Sequence, residues 1–258
     1  MARFKHYIGI DYSGARGPDN RLRGLKIYRS HQSGPALKQV PLSDNPSWNW
    51  TRREVAEFIE ESVHSSSPVI IGIDHAFSLP NSYFQRHSIN SWDEFLDDFV
   101  KHWPTDSRSV ESLRNSNERA GDRSEFRLTE RRAETLGKAK SVFQLDGQGT
   151  VGKSTHSGIP FLRSLRRNNR TKLHFWPFDG WQISPGSSVI LEVYPRLFLE
   201  NYKTESWDVT QDERDARVVT NFLSDSDRSG HLEGLLTPDL SDVANNLAKI
   251  EGWILGVQ

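Results

Sequence analysis

Two aspartates each end a short apolar segment, and the two segments share the same local sequence. Asp11 ends His6-Tyr-Ile-Gly-Ile-Asp11, and Asp74 ends Val69-Ile-Ile-Gly-Ile-Asp74. Runs of this kind are typical of buried strands, and two neighbouring strands of one sheet bring the side chains at their ends together. Two adjacent carboxylates repel each other unless a cation lies between them. The repeated sequence therefore predicts a cation site at Asp11 and Asp74.

The composition also favours carboxylates as the functional groups of the protein. The chain has 258 residues and no cysteine, which excludes disulfide scaffolds, thiolate zinc sites and cysteine nucleophiles. Its nine histidines do not form a His-Glu-x-x-His motif, and the chain has no Gly-x-Ser-x-Gly motif. Carboxylate oxygens are hard ligands that suit Mg²⁺ and Mn²⁺. We therefore expect Mg²⁺ or Mn²⁺ as the cofactor.

Hydrophobic periodicity predicts the elements that position the two aspartates. Period-two and apolar runs predict strands, and a capping box at Thr51-x-x-Glu54 introduces a helix. The predicted strands are residues 6–11, 21–31, 36–42, 69–74 and 188–194, with a turn at Ser33-Gly34-Pro35, and the predicted helices are 51–63, 212–223 and 240–256. Residues 81–186 are expected to form a long, α-rich insertion between the fourth and fifth strands.

The order of these elements predicts an α/β domain of the RNase H type, with a mixed sheet flanked by helices. A meander of three strands is followed by parallel strands that are added through crossovers. In that arrangement the first and fourth strands are neighbours. The whole chain, residues 1–258, is expected to form this single domain. Its length suits one sizeable core, and it has no apolar run long enough to span a membrane, so we expect a cytoplasmic protein.

The two C-terminal helices carry further candidate acids. Asp215 lies between Val219 and Phe222 on the apolar face of its helix, which predicts that it faces the cation site. The alternative is an aspartate in the first turn, stabilised by the helix dipole. Glu251 lies on an apolar face near a helix C-terminus, where the dipole disfavours it, and pairing with an inserted arginine is its alternative explanation.

The insertion contains a basic segment with aromatic residues behind it. Residues 147–178 include no acidic residue. This segment fits a phosphate-rich partner such as nucleic acid, with aromatic faces available to stack on bases. The alternative is a solvated basic helix followed by an aromatic turn in the core. Four arginines spaced four apart, Arg119, Arg123, Arg127 and Arg131, are expected on one helical face if Gly121 does not break the helix. The expected substrate-binding residues are Lys153, Ser154, Thr155, Arg127, Arg163, Arg166 and Trp176.

Residues 147–154 match the phosphate-binding P-loop pattern Gly-x-x-x-x-Gly-Lys-Ser. They follow a strand-like run at 141–145 and precede a predicted helix at 159–167. Gly158 and Pro160 are expected to disrupt the second turn of a helix that starts at Lys153. A P-loop NTPase is therefore one alternative. In the other interpretation, the same loop and Lys153 hold a substrate phosphate beside the carboxylates.

Eight motifs in chain order together resemble a known family. They are Gly9-Ile-Asp11, Gly72-Ile-Asp74, Phe126-Arg-Leu-Thr-Glu130, Gln148-Gly-Thr-Val-Gly-Lys-Ser-Thr155, Phe175-Trp-Pro-Phe-Asp-Gly-Trp181, Glu192-Val-Tyr-Pro195, Asp212-x-x-Asp-Ala216 and Glu251-Gly-Trp-Ile-Leu-Gly256. The set resembles the family catalogued as domain of unknown function 429, which is regarded as a predicted nuclease of the RNase H-like superfamily. The resemblance implies that Asp11, Asp74 and Asp215 bind metal, with Glu192 and Asp212 as further candidates and with Glu130 and Glu251 in its motifs.

The activity suggested by this set is two-metal hydrolysis of phosphodiester bonds. Asp11 is expected to be shared between two ions about 4 Å apart, with Asp74 and Asp215 each favouring one of them. Glu192 is a further candidate for the catalytic set. The expected partner is nucleic acid or another phosphate-containing substrate, with weak sequence specificity because no base-reading motif is apparent. A catalytically inactive binding module of the same fold is the alternative to an enzyme.

Overall fold

A mixed sheet of six strands lies at the centre of the computed structural model, which describes residues 2–32, 34–41, 48–115, 117–132, 134–135, 137–147, 149–203 and 207–258. The strands are β1 (His6–Asp11), β2 (Lys26–His31), β3 (Leu37–Gln39), β4 (Val69–Asp74), β5 (Leu173–Phe175) and β6 (Ser188–Glu192). Their order across the sheet is β3-β2-β1-β4-β6-β5. Helices flank the sheet, so the predicted α/β class with a mixed sheet is confirmed.

Helices occupy most of the chain outside the sheet. They are α1 (Arg52–Val63), α2 (Asn81–His87), α3 (Trp92–His102), α4 (Val110–Leu113), α5 (Gly152–Asn168), α6 (Gln211–Ser229), α7 (Leu232–Leu236) and α8 (Asp242–Glu251). Short 3₁₀ helices are found at Leu128–Arg131, Pro195–Leu197 and Leu199–Tyr202. In the described part of the chain, no helix has the length and apolar character needed to cross a membrane.

The first and fourth strands are neighbours, as their shared sequence predicts. β1 pairs with β2 in the antiparallel sense and with β4 in the parallel sense. In the parallel pair Gly9 lies opposite Gly72, and Asp11 lies opposite Asp74. β6 continues the parallel arrangement on the other side of β4. The carboxyl ends of β1, β4 and β6 therefore lie next to one another.

Both faces of the sheet are buried, which explains why β1 and β4 are almost entirely apolar. On one face Ile8 and Ile10 of β1 and Ile71 and Ile73 of β4 belong to a core shared with α1 and α5. On the other face Tyr7 and Ile70, with Val189 and Leu191 of β6, belong to a core shared with α6 and α8. The aspartates that end β1 and β4 are only partly buried. The strands therefore hold their acids at the margin of the core.

The glycines of the repeated sequence allow α6 to approach the sheet closely. A Cβ atom on Gly9 would lie 2.2 Å from the backbone carbonyl oxygen of Ala216 in α6, and a Cβ atom on Gly72 would lie 2.8 Å from a methyl group of Val219. Only glycine fits where backbone and helix come this close. The contact at Gly9 sets the position of α6, and Asp215 immediately precedes Ala216. The repeated glycines therefore help to place Asp215 near the strand ends.

Several predicted boundaries differ from the structure. The predicted strands at 21–31 and 36–42 are reduced to β2 and β3, and Leu42 and Ser33 lie outside the described residues. β5 lies within the predicted insertion, so 188–194 contributes a sixth strand and not a fifth. The last helix ends at Glu251 because Gly252 has a φ of 78°, which an α-helix does not accommodate.

Two further predictions of local structure are wrong. Residues 119–127 form turns and extended chain, so the four arginines do not share a helical face. Asn117 and Asp122 accept backbone N–H groups of Arg119 and Ser124, which favours turns over a helix. Residues 141–145 form a turn and extended chain and do not join the sheet.

Candidate functional site

A cavity of about 840 Å³ opens at the carboxyl ends of β1, β4 and β6. Four aspartates line it: Asp11 from β1, Asp74 from β4, and Asp212 and Asp215 from the first turns of α6. α6 starts at this point because Thr210 and Glu213 form a capping box. All four predicted metal-binding aspartates are therefore lining residues of one cavity.

Burial and mutual repulsion raise the pKa values of Asp11, Asp74 and Asp215. Burial raises the pKa of Asp11 well above its ordinary value, and Asp74, Asp212 and Asp215 raise it further. Burial, together with Asp215 and Glu192, raises the pKa of Asp74 to about 8. Burial raises the pKa of Asp215 to about 6, although a hydrogen bond from Gln211 acts in the opposite direction. The cavity therefore disfavours full ionisation of these acids.

Asp11 and Asp74 offer oxygen donors of the type that a hard divalent cation prefers. Gln211 donates to Oδ1 of Asp215, but within the described ranges no side chain or backbone group donates to the carboxylate of Asp11 or Asp74. Their oxygens are available as ligands, and a cation would offset the repulsion that raises their pKa values. Among the described residues, no three histidine, aspartate or glutamate side chains already form a group that could hold a metal ion. The predicted metal stays a prediction.

Glu192 is occupied by an internal ion pair. The guanidinium of Arg127 donates to both carboxylate oxygens of Glu192 at 2.5 and 2.7 Å, and its Nε donates to Glu130 at 2.9 Å. All three side chains are buried. Burial raises the pKa of Glu130, while the charges around Arg127 keep the pKa of its guanidinium above its ordinary value. Arg127 was expected to bind substrate and Glu192 to act in catalysis, but the structure gives both a partner inside the protein.

Glu251 joins separate parts of the chain through backbone hydrogen bonds. Its carboxylate accepts the N–H of Asn81, the first residue of α2, and the N–H of Leu128, the first residue of the 3₁₀ helix. A negative charge is favourable at these N-termini. The alternative of an arginine partner is therefore corrected, since Arg127 contacts the backbone carbonyl of Glu251 and not its carboxylate.

The first turn of α5 also lines the cavity. Lys153 and Ser154 are lining residues, and a Cβ atom on Gly14 would lie 2.1 Å from the backbone of Lys153. The loop after β1 therefore packs directly on the start of α5. The hydroxyl of Ser154 donates to the carbonyl of Val151, and Thr155 accepts the backbone N–H of Ala76 just after β4. Thr155 is fully buried, so its role is to fix the end of β4 and not to bind substrate.

The expected disruption of this helix at Gly158 and Pro160 does not occur. Pro160 has no N–H to donate to the carbonyl of His156, and the hydroxyl of Thr105 donates to that carbonyl instead. Gly158 makes room for His75, because a Cβ atom there would lie 2.4 Å from its imidazole. α5 consequently runs without a break from Gly152 to Asn168.

The loop before α5 differs from a P-loop in two respects. Residues 141–145, which should form the preceding strand, are not a strand. Nζ of Lys153 lies 2.5 Å from Glu111 and 3.5 Å from Asp146, so its charge is compensated within the protein. Gln148, in the middle of the motif, lies outside the described residues.

The basic surface of α5 is neutralised by neighbouring acids. Arg163 pairs with Asp97 of α3, and Arg166 pairs with Asp93 and Asp179. Neither arginine lines the cavity. Trp176 is fully buried, and its indole N–H donates to the carbonyl of Leu236. The predicted substrate-binding roles of these three residues are therefore corrected to contacts within the protein, and the aromatic turn belongs to the core.

Four cationic residues in or near the cavity were not recognised in the sequence: Arg52, Lys138, Lys140 and Arg196. Arg52 is buried and donates to the carbonyls of Ser13, Ala15 and Arg16, which fixes the loop after β1. Lys138 and Arg196 are exposed and line the cavity. Arg196 directly follows the Glu192-Val-Tyr-Pro195 motif, which is the only sequence signal that could have pointed to it. No local pattern in the sequence distinguishes Arg52 or Lys138 from the other cations of the chain.

Comparisons of the chain with protein-family models, with curated proteins and with solved structures found no match.

Proposed function

We propose that the protein is a hydrolase of phosphodiester bonds that depends on Mg²⁺ or Mn²⁺, and that it is a nuclease of the RNase H-like kind. The observation that supports this proposal is the pairing of Asp11 with Asp74 in register at the end of two parallel strands. Asp212 and Asp215 line the same cavity, and the pKa values of Asp11, Asp74 and Asp215 are raised. An oxygen-rich, electrostatically strained site of this kind suits a small divalent cation.

Asp11 and Asp74 are the proposed primary ligands, and Asp215 from α6 is the proposed third. When bound, the cation supplies charge neutralisation for the scissile phosphate and lowers the pKa of a water molecule. Glu192 is left out of the ligand set because Arg127 occupies both of its oxygens. Asp212 is adjacent and remains a further candidate.

The start of α5 is proposed to orient the scissile phosphate. The N–H groups of a first helical turn have no partner within the helix, and the helix dipole favours an anion there. Val151, Lys153 and Ser154 place this turn in the lining of the cavity. Arg52 supports the arrangement by fixing the loop that packs on this turn.

The ion pairs of Lys153 disfavour the P-loop NTPase alternative, because the P-loop lysine must reach the outer phosphates of the nucleotide. The inactive binding module is distinguished from the nuclease by activity alone.

The test measures cleavage of a single-stranded oligonucleotide and of bis(p-nitrophenyl) phosphate, with EDTA, Mg²⁺ or Mn²⁺. We expect cleavage with the cations and none with EDTA. Asp11→Asn should reduce it by more than about 100-fold, since even partners that only orient metal ligands are worth 10–100-fold. Asp225→Asn is the matched control, because Asp225 is exposed on α6 and does not line the cavity.

Cleavage that persists in Asp11→Asn would show that the activity lies elsewhere. A wild-type protein that binds oligonucleotide but cleaves neither substrate would favour the binding module. Saturable ATP binding that Lys153→Ala abolishes would favour the NTPase.

A further inference from the structure

The cationic side chains that line the cavity differ in whether a carboxylate of the protein already pairs with them. The lining contains Arg127, Lys138, Lys140, Lys153 and Arg196. Arg127 is buried between Glu130 and Glu192, and Lys153 pairs with Glu111 and Asp146. Neither side chain can reach a ligand without giving up a carboxylate. The charge of these two residues therefore serves the protein itself.

Lys138 and Arg196 have a different environment. Both are exposed residues of the lining. Within the ranges that the structure describes, no carboxylate lies within ion-pair distance of Nζ of Lys138 or of the guanidinium of Arg196. They lie in separate segments that are held together locally, because the hydroxyl of Tyr194 donates to the backbone carbonyl of Lys138 at 3.3 Å. The cavity thus has an acidic part and a cationic part whose charge is available.

The acidic part creates a specific difficulty for a nucleic-acid strand. A cation bound by Asp11, Asp74 and Asp215 neutralises one phosphate, but an adjacent phosphate of the strand is still repelled by the remaining acid, Asp212. A cavity of about 840 Å³ is large enough for a ligand of drug size or somewhat larger, which corresponds to a short single-stranded segment. Uncompensated cations in the same lining are the groups that such a segment requires.

We propose that Lys138 and Arg196 bind a backbone phosphate that is not cleaved, so that the substrate is a single-stranded oligonucleotide chain. This inference rests on the proposed function for the position of the scissile phosphate. The basic segment at residues 147–178 was expected to bind the nucleic-acid backbone, but its Arg163 and Arg166 pair with acids of the protein. The inference assigns backbone binding to two residues outside that segment. Arg196 offers two N–H groups in a plane that match a phosphate, and Lys138 contributes a point charge.

The test measures binding of a fluorescent single-stranded oligonucleotide as a function of salt concentration, with Ca²⁺ in place of Mg²⁺. The test variant is Lys138→Ala with Arg196→Ala. The matched control is Arg167→Ala with Arg170→Ala, which removes the same charge from the basic segment at positions outside the lining. We expect the test variant to weaken binding and to reduce the slope of log K against log salt by about 0.7, since it loses one phosphate contact and each such contact with a single strand contributes about 0.7. The control should keep the wild-type slope.

Equal slopes for the wild type and the test variant would overturn the inference, and so would a wild type that does not bind the oligonucleotide. A nucleoside diphosphate that binds more tightly than the oligonucleotide would contradict the proposal of a chain substrate. Cleavage of bis(p-nitrophenyl) phosphate, which has a single phosphate, reports on the proposed function separately. If the wild type and the test variant both cleave it and their binding slopes are equal, only the inference fails. If neither cleaves it, the proposed function fails.

Discussion

Asp11 and Asp74 lie in register on adjacent strands, and within the described residues no group donates a hydrogen bond to either carboxylate. Burial raises the pKa of each carboxylate, and the negative charges of neighbouring acids raise it further. A protein has no structural need for this arrangement, because aspartates at strand ends are normally solvated or hydrogen-bonded. The cost in stability is consistent with a site that is completed by a cation.

The pKa of Asp74 predicts how the metal-free protein responds to pH. Its pKa is about 8 in the folded protein and about 3.8 when the chain is unfolded. A raised pKa of an acid means that ionisation destabilises the fold, so the penalty is absent below about pH 4 and grows as the pH rises towards 8. With EDTA, Asp74→Asn should therefore have a higher Tm than the wild type at pH 8, with the difference shrinking towards pH 4.

We expect a difference of several degrees at pH 8, because roughly 1 kcal/mol shifts the Tm of a protein of this size by about 2–4 °C. Calorimetry of both proteins across this range measures it. Asp225→Asn is the control and should show no such trend. A Tm difference between Asp74→Asn and the wild type that is constant or grows at low pH would contradict the assignment of a raised pKa to Asp74.

The buried ion pairs of Arg127 lead to a second prediction, which concerns stability. Its guanidinium compensates Glu130 and Glu192 inside the protein, where water cannot replace it. Arg127→Met leaves two buried carboxylates without a cation and should cost about 3–5 kcal/mol of unfolding free energy. Arg163→Met breaks an exposed pair with Asp97 and should cost about 0–1 kcal/mol. Urea denaturation measures the loss of unfolding free energy in both variants. Equal losses would contradict the larger contribution expected of the buried ion pairs.

At the scale of elements, the site depends on the contact between β1 and α6. α6 begins at Gln211 with a capping box and places Asp212 and Asp215 in its first turns. The carbonyl of Ala216 lies directly above Gly9 in the strand that ends at Asp11. The strand glycine thus controls the distance between an acid of the sheet and an acid of the helix.

Gly9→Ala tests whether the contact between β1 and α6 controls metal binding in addition to stability. The new Cβ atom would lie 2.2 Å from the Ala216 carbonyl oxygen, so the helix backbone must move. We expect lower stability, and in the folded fraction weaker binding of Mn²⁺ measured by isothermal titration calorimetry. Gly72→Ala meets side-chain methyl groups at 2.8–2.9 Å and should perturb less. Gly234→Ala in α7, where a Cβ atom meets nothing within 4 Å, is the neutral control. Unchanged Mn²⁺ affinity in a folded Gly9→Ala protein would contradict the proposed role of this contact.

At the scale of the whole molecule, the sequence predicts the centre of the fold better than its periphery. The neighbouring positions of β1 and β4 follow from the repeated apolar run and the order of the elements, and the start of α1 follows from its capping box. β5 was missed because its three residues, Leu173-His-Phe175, are too short for a periodic pattern. The continuity of α5 through Pro160 depends on Thr105, a contact between residues 51 positions apart in the chain that no local pattern contains.

The residues of the candidate site also differ in how well local sequence patterns predict them. Its aspartates could be predicted because each ends a strand or starts a helix with a recognisable pattern. Of its predicted cations, Arg127 and Lys153 line the cavity but pair with carboxylates, whereas Arg163 and Arg166 lie outside the lining. The acids that compensate Arg163, Arg166 and Arg127 come from α3, from β6 and from turns. Such pairings arise from tertiary structure, and a basic run in the sequence does not reveal them.

The most direct test of the central claim is a crystal structure of the protein grown with Mn²⁺, with anomalous diffraction used to locate the metal. We predict anomalous density in the cavity, in contact with carboxylate oxygens of Asp11 and Asp74, and none at that position in crystals of Asp11→Asn. Mn²⁺ found only at other positions, or a cavity without Mn²⁺ at a concentration that supports cleavage, would contradict the proposed metal-dependent hydrolase.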